Sequence, residues 1–142
     1  EYALYSIQQE IEKYKLKKKL KIIPILVSIL DKKNLERIFE KYQPDTVFHA
    51  AAYKHVKIVE DNPITGIYNN VYGTLNVVEL SIKYQVSNFL LISTDKAVRP
   101  TNLMGVSKRL SELIVQAREK NTNTQFAIVR FGNVLGSSGS VV

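Results

Sequence analysis

Two rhythms of apolar residues take turns along this chain, one at helical spacing and one as short unbroken runs. Leu4, Ile7, Ile11 and Tyr14 recur at helical spacing in EYALYSIQQEIEKYKL, which predicts a helix over residues 1 to about 16. KIIPILVSIL, residues 21–30, is apolar and β-rich, and predicts a buried strand despite Pro24 near its start. Asp31 can cap the next helix, DKKNLERIFEKY, whose Leu35, Ile38 and Phe39 form a stripe. Pro44 and Asp45 punctuate, and TVFHAAA is expected to be a second strand entering a small-residue loop. A long helix is expected from about Asn62 to Tyr84, with Pro63 in its first turn, where a missing N–H is no loss. NFLLIST follows as a third strand, and Thr101 or Asn102 opens a helix to about Lys120. QFAIVRF is the fourth strand, leading into the glycine- and serine-rich loop GNVLGSSGSVV.

Strands alternating with helices imply βαβ units. The predicted fold is therefore α/β, a doubly wound parallel sheet covered on both faces. Ligands of such sheets bind beyond the carboxyl ends of the strands. That rule selects Val27 to Asp31, His49 to His55, Ser93 to Lys96, and Phe131 to Ser140. The pattern starts inside a helix and stops after a loop, so a partial domain, truncated at both ends, is expected over residues 1–142.

Composition narrows the classes. With 142 residues, 45% of them hydrophobic, the chain is one domain by size and can build a core. Without Cys it has neither a disulfide framework nor thiol-based metal sites, and no metal is expected. No apolar run approaches the roughly 20 residues that cross a bilayer, so no membrane contact is expected of this piece. Six lysines (Lys13, Lys15, Lys17, Lys18, Lys19 and Lys21) account for all but one of the net +7. Such a cluster suits either a polyanion or a solvated helix end. With no interleaved aromatic platform for bases, the second reading is preferred and no nucleic-acid partner is expected.

In the candidate loops, three alanines in HAAAYKH serve the close approach of a ligand and the packing of a helix equally well. ISTDKA ends an apolar strand in Ser93, Thr94, Asp95 and Lys96, an acid beside a base, each able to shift the other's pKa. A surface turn with a weak ion pair would look similar, but the strand-end placement favours chemistry. In NLMGVSKR, Lys108 lies one turn after Met104 on the same helix face.

In combination, VFHAAAYKHVKIVEDNP, NNVYGTLNVVE, LLISTDKAVRPTNLMGVSKRLSE and VRFGNVLGSSGSV resemble the extended short-chain dehydrogenase/reductases, a Rossmann-like group. Within it they resemble the polysaccharide-biosynthesis branch that converts UDP-N-acetylglucosamine into a 4-keto-6-deoxy sugar. The resemblance spans about residues 47 to 141, and residues 1 to 46 match more loosely. It implies an NAD-dependent lyase of surface polysaccharide or glycan biosynthesis, a UDP-sugar substrate and a homo-oligomer. Ala50, Ala51 and Ala52 would line the NAD pyrophosphate and ribose, with Ser28 and Ile29 at the adenine. Lys54 and Ser93 would add cofactor contacts, and Lys108 would hold the nicotinamide ribose. Lys96 would remove the C5 proton and Asp95 would protonate the departing C6 hydroxyl. His55, Arg130, Asn133, Ser137 and Ser138 would face the sugar nucleotide.

Two departures from the family pattern matter. Met104 stands where most of the superfamily has a tyrosine, so the C4 proton is expected to leave through Thr94 and Asp95. The glycine-rich turn that cradles pyrophosphate would precede Glu1, and a C-terminal substrate subdomain would follow. In longer family members this domain follows membrane-spanning helices, so an anchored parent acting on the cytoplasmic side is compatible. A nucleotide-sugar epimerase of the same fold and a non-catalytic nucleotide-binding module are the alternatives. Tyrosine is usual at the Met104 position in epimerases, which also lack the Asp-Lys pair.

Overall fold

The computed structural model describes residues 1–14 and 21–134. Helix α1 (Tyr2–Tyr14) forms as its spacing predicts. Its apolar stripe stays open, with Ile7 and Ile11 exposed. Periodicity selects a helix, but burial needs a partner.

Residues 21–28 do not form the expected strand. Ile23, Ile25 and Leu26 are exposed, and only Val27 and Ile29 reach the edge of the core. A strand exists through its neighbour's ladder, and the described sheet begins one strand later; Pro24 also withholds a donor. The next helix, α2 (Lys32–Tyr42), is capped as expected, the Asp31 carboxylate accepting from the backbone N–H of Asn34 at 3.1 Å.

Strands β1 (Thr46–His49), β2 (Asn88–Thr94) and β3 (Gln125–Phe131) lie parallel in that order. Between β1 and β2 the chain forms α3 (Val56–Asp61), α4 (Pro63–Ile67), a π-helical turn (Tyr68–Tyr72) and α5 (Gly73–Lys83). Helix α6 (Leu103–Arg118), capped by Asn102, links β2 to β3. Two successive crossovers of one hand, stepping the same way along the sheet, put α5 and α6 on the same face. There Phe89 and Leu91 of β2 meet Leu35, Phe39, Val78, Leu80 and Val115. Each such burial is worth about 1.5–3 kcal/mol.

On the opposite face Phe48 is 71% exposed, and Val129 and Phe131 are also open. The expected α/β parallel sheet is thus present, while the described helices cover one of its two faces.

The helix predicted from about Asn62 to Tyr84 forms, with the π turn in its middle. That turn brings Asn70 and Thr74 inward, where both are buried. Next to it, Gly73 packs so tightly on the Ile29 side chain that a Cβ would overlap it.

Candidate active site at the carboxyl ends of the strands

A cavity of about 680 Å³ opens where the three strands end. Parallel strands present their last residues and following loops on one edge, so three of the four loops chosen from sequence converge there. From the β1 loop come Ala50, Ala52, Tyr53, Lys54 and His55; from β2, Ile92, Ser93, Thr94 and Lys96; from α6, Met104 and Lys108. Phe131, Gly132, Asn133 and Val134 close the side after β3. Residues 27–31 do not line it. Ser28 instead accepts from the N–H of Leu30 at 3.2 Å, and Ile29 packs on Gly73. Ala51 also lies outside the lining. Ser137 and Ser138 lie outside the described residues.

The polar end of β2 is organised locally. The Thr94 hydroxyl donates to Asp95 Oδ1 at 3.0 Å and accepts from the N–H of Lys96 at 3.4 Å. Lys96 Nζ reaches the same Asp95 oxygen at 3.5 Å. The Thr94 hydrogen bond foremost holds the Asp95 carboxyl below the usual carboxylate range; burial pushes the other way, and the Lys96 charge and hydrogen bonds add smaller contributions to the lowering. Asp95 sits on the rim, exposed, while Thr94 and Lys96 face the cavity.

Lys108 is nearly buried and donates to the carbonyl of Ile92 at 2.7 Å. Burial lowers its pKa, and the carboxylate of Glu112 opposes that shift. An ammonium has three donors, so two remain for a ligand's hydroxyls. Met104, 4% exposed, contributes an apolar wall in place of a titratable group.

Arg130 departs from expectation. Its register partner is Ser93, which points at the helix layer, so Arg130 points there too. Its Nε and Nη2 both bind Glu112 at 2.8 Å, leaving none of its side chain in the cavity lining. The alternation along QFAIVRF encoded this orientation, but a cation at a strand end suggests a ligand contact more readily.

Beneath the cavity lies a polar layer that the sequence reading missed. Asn70, 1% exposed, accepts from the N–H of Tyr53 at 2.8 Å and donates to its carbonyl at 3.0 Å. It also donates to Ser107 Oγ at 2.9 Å, so one amide ties the β1 loop to α6. Thr74 and Ser111 both donate to the Asn70 carbonyl, at 2.6 and 2.9 Å. The His49 ring meets Thr74 Oγ1 at 2.9 Å. With the Thr74 proton committed to Asn70, His49 Nε2 is the donor. Burial, then the nearby Lys108 charge, lowers the His49 pKa to about 4, so the ring is neutral. Polar residues at helical spacing where a helix should be apolar (Ser107 with Ser111, Asn70 with Thr74) were the available signal.

The polysaccharide biosynthesis protein family model matches residues 1–142. The chain belongs to that family. It is similar to the capsular polysaccharide biosynthesis protein CapD of Staphylococcus aureus, with 44% identity over 100% of this chain and 24% of that protein. A UDP-N-acetylglucosamine 4,6-dehydratase (inverting) of Campylobacter jejuni is 44% identical over 69% of the chain and 30% of its own length. A UDP-glucose 4-epimerase of Rickettsia canadensis is 46% identical over the same shares, 69% and 30%. Among solved structures, Pen from Bacillus thuringiensis superposes with a TM-score of 0.80 and 32% identity, over 94% of this chain and 41% of that one. The chain therefore spans roughly a quarter to a third of these three sequence relatives. The family's Rossmann-like fold is the one described above. Among the described residues no helix is long and apolar enough to cross a membrane.

Proposed function

We propose that the protein carrying this chain is a lyase that removes water across C5 and C6 of a UDP-N-acetylhexosamine, with UDP-N-acetylglucosamine the first candidate. The observation that carries this reading is the Thr94–Asp95–Lys96 cluster. Its acceptor, Asp95, is kept ionised, and Lys96 opens onto the same cavity as Lys108. The similarity to the Campylobacter jejuni dehydratase points the same way.

NAD fits the residues present. Ala50 and Ala52 leave backbone open to close approach, Met104, Ile92 and Phe131 offer apolar surface to a flat ring, and Lys108 offers free N–H donors. When bound, NAD supplies reversible hydride chemistry between C4 and C6 of the sugar.

The chain's own groups move the protons. Asp95, ionised at rest, takes the C4 hydroxyl proton through Thr94, a path that needs no phenol at position 104. A ketone at C4 acidifies the C5 proton, and Lys96, once it has released its ammonium proton to solvent, removes it. Asp95 then returns its proton to the C6 hydroxyl as the C–O bond breaks and water leaves. Lys96 finally reprotonates C5, giving a 4-keto-6-deoxy sugar with no net redox change. In this reading His55, Lys54 and Asn133 face the ligands from the rim, and the protein works as a homo-oligomer on the cytoplasmic side.

Epimerisation at C4 is the second reading, favoured by the similarity to the Rickettsia canadensis enzyme. It has no use for an Asp–Lys pair aimed at C5 and C6. Incubating the intact protein with UDP-N-acetylglucosamine in deuterated water, followed by NMR, separates the two. A 4-keto-6-deoxy product with deuterium at C5 is expected; a C4 epimer without exchange at C5 would replace the dehydratase reading.

A further inference from the structure

One buried charge lies outside the proton path just described. Glu112 is 0% exposed, one turn beyond Lys108 on the face of α6 that meets the sheet. Its Oε1 accepts from Ser93 Oγ at 2.7 Å and Arg130 Nε at 2.8 Å. Its Oε2 accepts from Arg130 Nη2 at 2.8 Å and Arg109 Nη1 at 2.9 Å. Burial alone would push this carboxyl up, yet the hydrogen bonds from Arg130, Ser93 and Arg109, with the Arg130 charge, bring it to about 2.

Apolar side chains of similar size hold a helix to a sheet at least as well as a buried ion pair. What a forked guanidinium–carboxylate contact adds is direction. Ser93 and Arg130 are register partners, each next to last in its strand. Immediately beyond Ser93 come Thr94, Asp95 and Lys96; immediately beyond Arg130 come Phe131, Gly132 and Asn133. The two loops approach each other across the cavity mouth, where a Cβ on Gly132 would lie 3.9 Å from Asp95 Oδ2.

From this arrangement we infer that Glu112 is a positioning residue, which through Ser93 and Arg130 holds the acid–base loop after β2 in register with the loop after β3. The inference rests on the function proposed above for its link to the reaction. The clamp itself is a property of the ligand-free protein.

Two variants of the intact protein test it, Glu112→Gln and Arg130→Lys. The first places an amide N–H₂ against donors, and the second keeps the charge but loses the fork. Hydrogen–deuterium exchange is read first, without ligand. Both variants should exchange faster over residues 93–98 and 130–134, by about tenfold or more, with α2 unchanged. Wild-type exchange in both segments of a folded variant overturns the clamp. Should Glu112→Gln fail to fold, Arg130→Lys, whose side chain is 39% exposed, carries the test.

In turnover, kcat per folded molecule should fall about tenfold or more in Glu112→Gln while NAD affinity stays near wild type. A merely structural role would lower melting temperature and folded fraction and leave kcat per folded molecule unchanged, which overturns the positioning role. If the wild-type protein does not dehydrate the sugar, the function proposal fails separately, and the exchange experiment still decides the clamp.

Discussion

At the scale of single residues, the proposed chemistry depends on where a proton rests before substrate arrives. Thr94 keeps Asp95 ionised, so in the proposed reaction the carboxylate begins as an acceptor and becomes an acid only after taking a proton. Thr94→Val removes the hydrogen bond that contributes most to that low pKa. The Asp95 pKa should rise, and the acid limb of the kcat/KM profile against pH should move to higher pH. Lys96→Ala should abolish C5 exchange with solvent, read by NMR in deuterated water, while NAD affinity changes less than about threefold, because the variant loses a transition-state group. Exchange at the wild-type rate in that variant would remove Lys96 from the base role. Thr94, Lys96 and Asn133 fall in segments that the strand-end rule selects, while Met104 and Lys108, inside α6, were reached through the family resemblance. Arg130 was not legible in either way. Its direction follows from register with Ser93, and one step along a strand reverses the face a side chain occupies.

At the scale of elements, α6 organises the site with two faces. Met104, Lys108 and Glu112, four residues apart, meet the sheet, while Ser107 and Ser111 meet the π turn through Asn70. Small hydroxylated residues let the two helices approach and satisfy a buried amide together. The N-terminus of α6 comes equally close to the Asp95–Ala97 turn: a Cβ at Gly105 would lie 2.5 Å from the Lys96 carbonyl oxygen. Gly105→Ala should therefore push the Asp95–Ala97 turn away from the cavity. The expected result is a kcat lower by about tenfold or more and a stability loss of about 1–3 kcal/mol, measured by steady-state assay and urea unfolding. An unchanged kcat would mean the turn can shift without harm. Helix and strand periodicity made α2, α6, β2 and β3 legible almost to the residue, since each carries a complete apolar pattern and α2 and α6 a side-chain cap. The π turn carries no such pattern, and the strand expected at 21–30 fails because an apolar run cannot supply its own neighbour.

At the scale of the whole molecule, stability and site share the same buried ionisable groups, so acid should act on both. His49 has a folded pKa of about 4 against an ordinary 6.5, because burial first and the Lys108 charge second keep it neutral. The folded protein therefore leaves His49 unprotonated at a pH where the unfolded chain already protonates it. Stability is complete above pH 6.5 and declines as pH falls toward 4, by at most about 3 kcal/mol from this group. Glu112 acts in a lower window: its pKa of about 2 against 4.5 in the unfolded chain makes stability fall further between those values. The two groups can be separated experimentally because His49→Gln keeps an amide N–H for Thr74 but cannot titrate. Urea unfolding of the intact protein at several pH values from 7.5 to 4.8 should show wild type losing stability steadily and His49→Gln holding nearly level. If the variant keeps the wild-type slope, the acid sensitivity lies in other groups. A level response would place the acid trigger one hydrogen bond from the network that holds the β1 loop, so protonation that loosens the fold would loosen the β1-loop side of the cavity with it.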